Sequence, residues 1–180
     1  MTAKTDLPKP GAGDLRWRFD CRDGEAVIEV RLAGRADLDA IDEIEIDSFI
    51  ADRFERRNLR RMLNAGKTLF LLARIGGEAA GYLALAFRRG SGISRIYSIA
   101  VAPQHRGSGV ARAMLDAALD LTGRRGCRQV HLEVRKSNTK AINLYQRAGF
   151  RLRGTREAYY EDREAALLFE ADAPHSPGER

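Results

Sequence analysis

An α/β fold built on a mixed sheet, in one domain, is the class this sequence predicts. Three observations carry it. Apolar segments of period two and apolar stripes of helical period follow one another as strand, two helices, three strands, helix, strand, helix and two strands. A chain of 180 residues is long enough to close one hydrophobic core. Hydrophobic residues at 44% and charged residues at 31% supply both that core and a solvated surface.

Residues 1–25 are rich in Pro, Gly and charge and read as a tail, within which "LRWRF" can dock on the domain. The domain is expected over 26–171, with a second tail at 172–180. "AVIEVRL" is the first strand. Leu38, Ile41, Ile44 and Phe49 recur at near-helical spacing behind Asp37, and "RFERRNLRRML" continues as a second helix that Gly66 ends. "TLFLLARI", a Gly-Gly turn and "AAGYLALAFRR" form a hairpin, and "ISRIYSIAV" is a further strand. A polar loop then leads to a helix whose stripe is Val110, Ala113, Met114, Ala117 and Leu121. "CRQVHLEVR" alternates, with Val130, Leu132 and Val134 on one side and His131, Glu133 and Arg135 on the other. "NTKAINLYQRAGF" is a short helix with Gly149 just past its end. Two strands flank "YYEDRE".

The longest apolar runs are far short of the ~20 residues a membrane span needs. The N-terminus has no apolar signal-peptide core, so a cytoplasmic protein without a membrane partner is expected. Cys21 and Cys127 lie far apart without CxxC spacing, which suggests neither a disulfide framework nor a metal site. The net charge of +6 is mostly arginine, mixed with acids along the chain. The one dense cluster, Arg56 to Arg61, reads as a solvated helix face. No nucleic-acid motif accompanies it, and no direct nucleic-acid binding is expected.

The loop "VAPQHRGSGVA" is the chemically informative stretch. A P-loop would need a Lys followed by Ser or Thr after the glycines, and a dinucleotide fingerprint would need Gly or Ala where Arg112 stands. A bare helix N-terminus remains. Arg106, Gly107, Ser108, Gly109, Val110 and Ala111 present successive N–H groups at the positive end of a helix dipole, with small side chains that let an anion approach. Ser108 is the expected N-cap. A plain connecting turn is the alternative on this stretch alone.

The pattern R-x-x-G-x-A over Arg106–Ala111 resembles the pyrophosphate motif of the GNAT N-acetyltransferases. "IYSIAVAP" resembles the family's central strand and its splayed junction. "LEVRKSNTKAINLYQRAGF" and "YYEDREAALLF" resemble the branch that acetylates protein N-termini, in particular the bacterial ribosomal-protein alanine N-acetyltransferases. The resemblance implies a mostly antiparallel mixed sheet flanked by helices and splayed at the cofactor strands. It implies acetyl-CoA, its pyrophosphate on Arg106–Ala111, its pantetheine arm on Ile99, Ala100, Val101, Asn138, Ala141 and Tyr145. It implies direct transfer in a ternary complex, a protein or peptide N-terminus as acceptor, and a ribosomal protein as one candidate partner. A monomer or weak dimer is expected.

Acetyl transfer to an amine requires removing a proton, stabilising an oxyanion and releasing a thiolate. Glu133 is the candidate base, acting through water, and Tyr145 the candidate acid. A backbone N–H of Ile99 or Val101 can face the oxyanion. Tyr159 and Tyr160 correspond to the region that grips the acceptor. Glu43 and Glu45 read as surface charges on a helix flanking the acceptor entrance, His105 as a surface histidine and Cys127 as an inert buried thiol. The branch's Pro-Trp near the second helix is absent from "DSFIADRFERRN". Lysine or small-molecule amines therefore stay open as acceptors, as does a non-catalytic acyl-CoA-binding role.

Overall fold

The computed structural model describes residues 15–49 and 53–174. Eight strands form one sheet: β1 (Arg16–Asp20), β2 (Val27–Leu32), β3 (Thr68–Ile75), β4 (Glu78–Phe87), β5 (Ile93–Val101), β6 (Gln129–Arg135), β7 (Arg151–Arg156) and β8 (Ala166–Asp172). Their order is β1-β2-β3-β4-β5-β6-β8-β7. Every neighbouring pair is antiparallel except β5 and β6. The α-helices are α1 (Leu38–Ser48), α2 (Arg56–Ala65), α3 (Val110–Arg124) and α4 (Thr139–Arg147). This is the mixed, mostly antiparallel α/β fold expected from the motifs.

Strand alternation builds a core on each face. Leu83, Leu85, Ile96, Val130, Leu132 and Val134 meet the stripe of α3. Phe70, Leu72, Tyr82, Ala84 and Ala100 meet Leu38, Ile41 and Ile44 of α1 and Leu59 of α2. The even-numbered residues of β6 are buried in the α3 core, and its odd-numbered residues, on the opposite side of the sheet, are half-buried.

Gly81 sets how closely α3 approaches β4. A Cβ there would lie 2.8 Å from the Ala100 carbonyl oxygen and 2.9 Å from Val110 Cγ1. Gly81→Ala is therefore expected to destabilise the fold by about 1–3 kcal/mol through overpacking. Urea unfolding measures this, and an unchanged midpoint would mean that α3 shifts without cost.

Two boundaries differ from the sequence reading. "LRWRF", placed within the tail, forms the edge strand β1, and the Trp17 indole donates to Asp120 of α3 at 2.8 Å. The second helix starts at Arg56 rather than Arg53, because Glu45 accepts the Phe54 N–H and Glu55 stays extended. Arg56 of the arginine cluster pairs with Asp39 and Asp42, tying α2 to α1.

Candidate active site

β5 and β6 run together only over Ile93–Arg95 and Gln129–His131. Beyond Arg95 the strands part. Opposite β4, Ala84 pairs with Ser98 and Leu85 with Ile96, leaving Tyr97 as a bulge. The bulge re-aims the strand, so Ser98 and Ala100 face α1 while Ile99 and Val101 face the α3 core. Ala102 N–H donates to Ala80, so the alternation of an antiparallel ladder turns the backbone groups of Ile99 and Val101 away from β4, into the opening. An extended chain segment could pair there as an added strand. The Val101 carbonyl already accepts from the Ser48 hydroxyl at 3.4 Å.

The loop from β5 to α3 closes the top of this opening. Gly109 is the N-cap of α3 at φ +101°, a left-handed conformation that suits glycine, and no side chain caps the helix. The first N–H groups of α3 are thus left for an external acceptor. Ser108, the expected N-cap, instead donates its hydroxyl to the His105 carbonyl at 2.6 Å. Arg106 and Gly107 are exposed, and a Cβ on Gly107 would meet nothing within 4 Å. The donor set, unclaimed N–H groups beside an arginine with room around them, suits a diphosphate. The β1–β2 turn supports the loop: Arg22 N–H donates to the Ser108 carbonyl at 2.9 Å. His105, expected on the surface, is largely buried with Nε2 3.6 Å from Glu78.

Tyr145 and Glu133 flank β6 from opposite sides. Tyr145 is buried at 5% exposure, its ring 5.9 Å from Phe150 and 6.4 Å from Phe169. Burial pushes its phenol well above the ordinary tyrosine range, so it stays protonated as a donor. Asn138 caps α4 by accepting the Ala141 N–H at 3.1 Å, which leaves its amide N–H₂ available. Arg112 fixes α3 against α4 by donating to the Arg147 carbonyl at 2.8 Å.

Glu133 lies on the α1 side, gripped by Arg95 with Nε at 2.9 Å and Nη2 at 2.6 Å. Arg95 also donates to the Tyr159 hydroxyl at 3.3 Å. Tyr159 stands edge-on to Tyr160, with centroids 5.1 Å apart, and Arg135 lies 4.0 Å over Tyr160. Glu164 clamps this corner. It accepts from Ser137 N–H at 2.8 Å and Arg135 at 2.9 Å, and Ser137 followed by Arg135 pulls its carboxyl down to about 2. The structure therefore brings Glu133, Tyr159 and Tyr160 into one cluster, through an arginine the motifs did not single out.

Glu45 corrects the sequence reading most. Far from being a surface charge, it is 1% exposed, and burial raises its carboxyl. Glu43, on the same helix, is exposed, as the sequence reading expected. The Cys127 thiol, raised by burial, donates to the Ser91 carbonyl at 3.5 Å.

Comparison with known proteins decides the family. The acetyltransferase (GNAT) family model matches residues 38–150. The chain belongs to the GNAT family. It is an N-acetyltransferase of that family, whose members use acetyl-CoA. Its relatives include the N-alpha-acetyltransferase RimI of Mycobacterium tuberculosis, 33% identical over 137 residues, or 70% of this chain and 80% of that protein. The streptothricin acetyltransferase of Streptomyces lavendulae is 34% identical over 98 residues, covering 54% of this chain and 52% of that protein. The crystal structure of the ribosomal-protein-S18-alanine N-acetyltransferase of Escherichia coli superposes with a TM-score of 0.74 at 26% identity, over 85% of this chain and 97% of that one. The GNAT relatives thus include enzymes named for N-termini and one named for a small molecule. Among the described residues, no helix is long and apolar enough to cross a membrane.

Proposed function

We propose that this GNAT enzyme transfers acetyl from acetyl-CoA directly to the α-amine of a protein or peptide N-terminus. The observation that carries the reading is the corner where Glu133 and Tyr159 share Arg95 beside the parted ends of β5 and β6. A carboxylate that keeps lone pairs beside its arginine suits an amine that must give up a proton, and two tyrosines beside it suit the first residues of a peptide. The relatives named for N-terminal acetylation support the same acceptor.

In this reading Arg106–Ala111 hold the pyrophosphate. Ile99 and Val101 pair with the pantetheine arm, joined by Asn138 and Ala141; Ala100, expected beside them, instead turns its backbone groups to Tyr82 of β4 and its side chain to the α1 core. The amine attacks the thioester carbonyl carbon while a backbone N–H of Ile99 or Val101 faces the developing oxyanion. Each Glu133 oxygen keeps a lone pair beside its Arg95 bond, and a water held there takes the amine proton. Tyr145 donates to the departing sulfur. An α-amine, of pKa ~8, needs far less help to lose its proton than lysine at ~10.4.

The test is a set of short peptides with one internal lysine, each offered with a free and a blocked N-terminus, and read by mass. Acetylation of the free termini alone is expected. Acetylation that persists on blocked peptides, or that appears only on small amines such as streptothricin, would overturn the acceptor assignment. Glu133→Gln is expected to lower the rate about 10²-fold near pH 6 and to approach the parent enzyme as the free amine accumulates at alkaline pH. A uniform loss at every pH would remove Glu133 from proton transfer.

A further inference from the structure

Glu45 and Tyr82 are a buried, titratable pair that the transfer chemistry above leaves unused. Tyr82 is fully buried on β4, and its hydroxyl donates to Glu45 Oε2. The Tyr82 hydroxyl oxygen also lies 2.8 Å from Ser98 Oγ. A phenol has one proton, and Tyr82's points at the carboxylate, so Ser98 is the donor in the second bond. The hydrogen bonds therefore run one way, from Ser98 through Tyr82 to Glu45. The lone pairs of Ser98 Oγ remain at the start of the chain. Ser98 is half-buried, on the stretch of β5 that has left β6, with its side chain on the sheet face that also carries Glu133. Glu133 stands on the β6 wall of the opening and Ser98 on the β5 wall.

We propose that Ser98, Tyr82 and Glu45 form a second proton route, which carries the proton released by the acceptor amine from the β5 wall into the core beneath α1. This rests on the acetyl-transfer reading and adds an exit beside the arginine-gripped Glu133. As the amine nitrogen bonds to the acetyl carbon, its N–H bond breaks and a Ser98 O–H forms. The former Ser98 proton moves to Tyr82, and the Tyr82 proton moves to Glu45 Oε2. The electron pair of the broken C–S bond leaves with sulfur. The chain ends as a neutral Glu45 acid; once the amide product has left, the reverse passage returns the proton to Ser98, which releases it to the solvent water that replaces the product.

The surroundings of Glu45 suit a temporary proton acceptor. Burial raises its carboxyl, and Asp42 on the same helix adds to this. Tyr82 on β4, the Phe54 N–H ahead of α2 and the charge of Arg53 act against them. Burial also pushes the Tyr82 phenol far up, so Tyr82 relays a proton without resting as phenolate.

The experiment compares the parent enzyme with Glu45→Gln, Tyr82→Phe, the pair combined, and Ser98→Ala, using a peptide acceptor across a pH series. Thermal denaturation with and without acetyl-CoA checks folding. Glu45→Gln keeps an oxygen for one of its two donors, and Ser98→Ala leaves the buried pair in place should the core variants fail to fold. About a tenfold fall in kcat below neutral pH is expected for each, with KM for acetyl-CoA unchanged and the Glu45/Tyr82 double variant no worse than either single one. Adding Glu133→Gln to Glu45→Gln should deepen the loss, because the routes run in parallel. The inference is overturned if the Ser98→Ala and Glu45→Gln enzymes keep the parent kcat at every pH, or if the losses lie wholly in the KM for peptide. A parent enzyme that acetylates no amine would instead overturn the transfer reading itself.

Discussion

Tyr145→Phe is expected to lower turnover by roughly 10²–10⁴-fold, the usual range for a positioned proton donor, while leaving acetyl-CoA binding and the fold nearly intact. The ring packs between Phe150 and Phe169, and phenylalanine keeps that packing. What is lost is one O–H. Its raised pKa shapes the expected role. A free thiol has a pKa near 8.5, so handing a full proton to the thiolate runs uphill for this phenol. The hydrogen bond to sulfur strengthens as negative charge builds in the transition state, and that differential stabilisation is what the variant removes. Single-turnover kinetics with saturating acetyl-CoA measure it. Normal turnover would show that the thiolate departs without Tyr145.

Gly109→Glu is expected to abolish stabilisation by acetyl-CoA. A ligand that binds only the folded state adds ~2.7 kcal/mol at a hundredfold excess over its dissociation constant, and each kcal/mol shifts the melting point by about 2–4 °C in a domain of this size. In the parent enzyme acetyl-CoA should therefore raise the melting temperature by several degrees. The substitution puts a carboxylate at the N-terminus of α3, where the phosphates are proposed to sit. It also places a side chain at φ +101°, which lowers the stability of the free protein. The comparison with and without acetyl-CoA, made on each variant separately, cancels that second effect. An undiminished shift in Gly109→Glu would move the cofactor away from this loop.

Local pattern by itself determined the element order from β2 onward and the turns, including the glycine-containing loop ahead of α3, but not the edge strand β1. Val130, Leu132 and Val134 alternate because β6 has one side on a core. Gly66 and Gly149 stop their helices because each lies in a left-handed conformation beyond the last turn. These are constraints between near neighbours in the chain. The motif resemblance singled out Glu133 and Tyr145 in the same way, from twelve or so residues around them. The charge state of the site was decided at longer range. Arg95 and Glu133 are 38 residues apart, and Tyr82 and Glu45 are 37 apart. Glu45, between Ile44 and Ile46, carries no local sign of burial, since a helix face is chosen by what packs against it. Only the register of β4 and β5, with Tyr97 bulged out, brings Ser98 against the Tyr82 hydroxyl that reaches the Glu45 carboxylate. That register also frees β5 from β6 after Arg95. Periodicity says which residues share a face; tertiary packing says which faces meet, and the desolvation that goes with that meeting sets which carboxylate is solvated and which lies in the core.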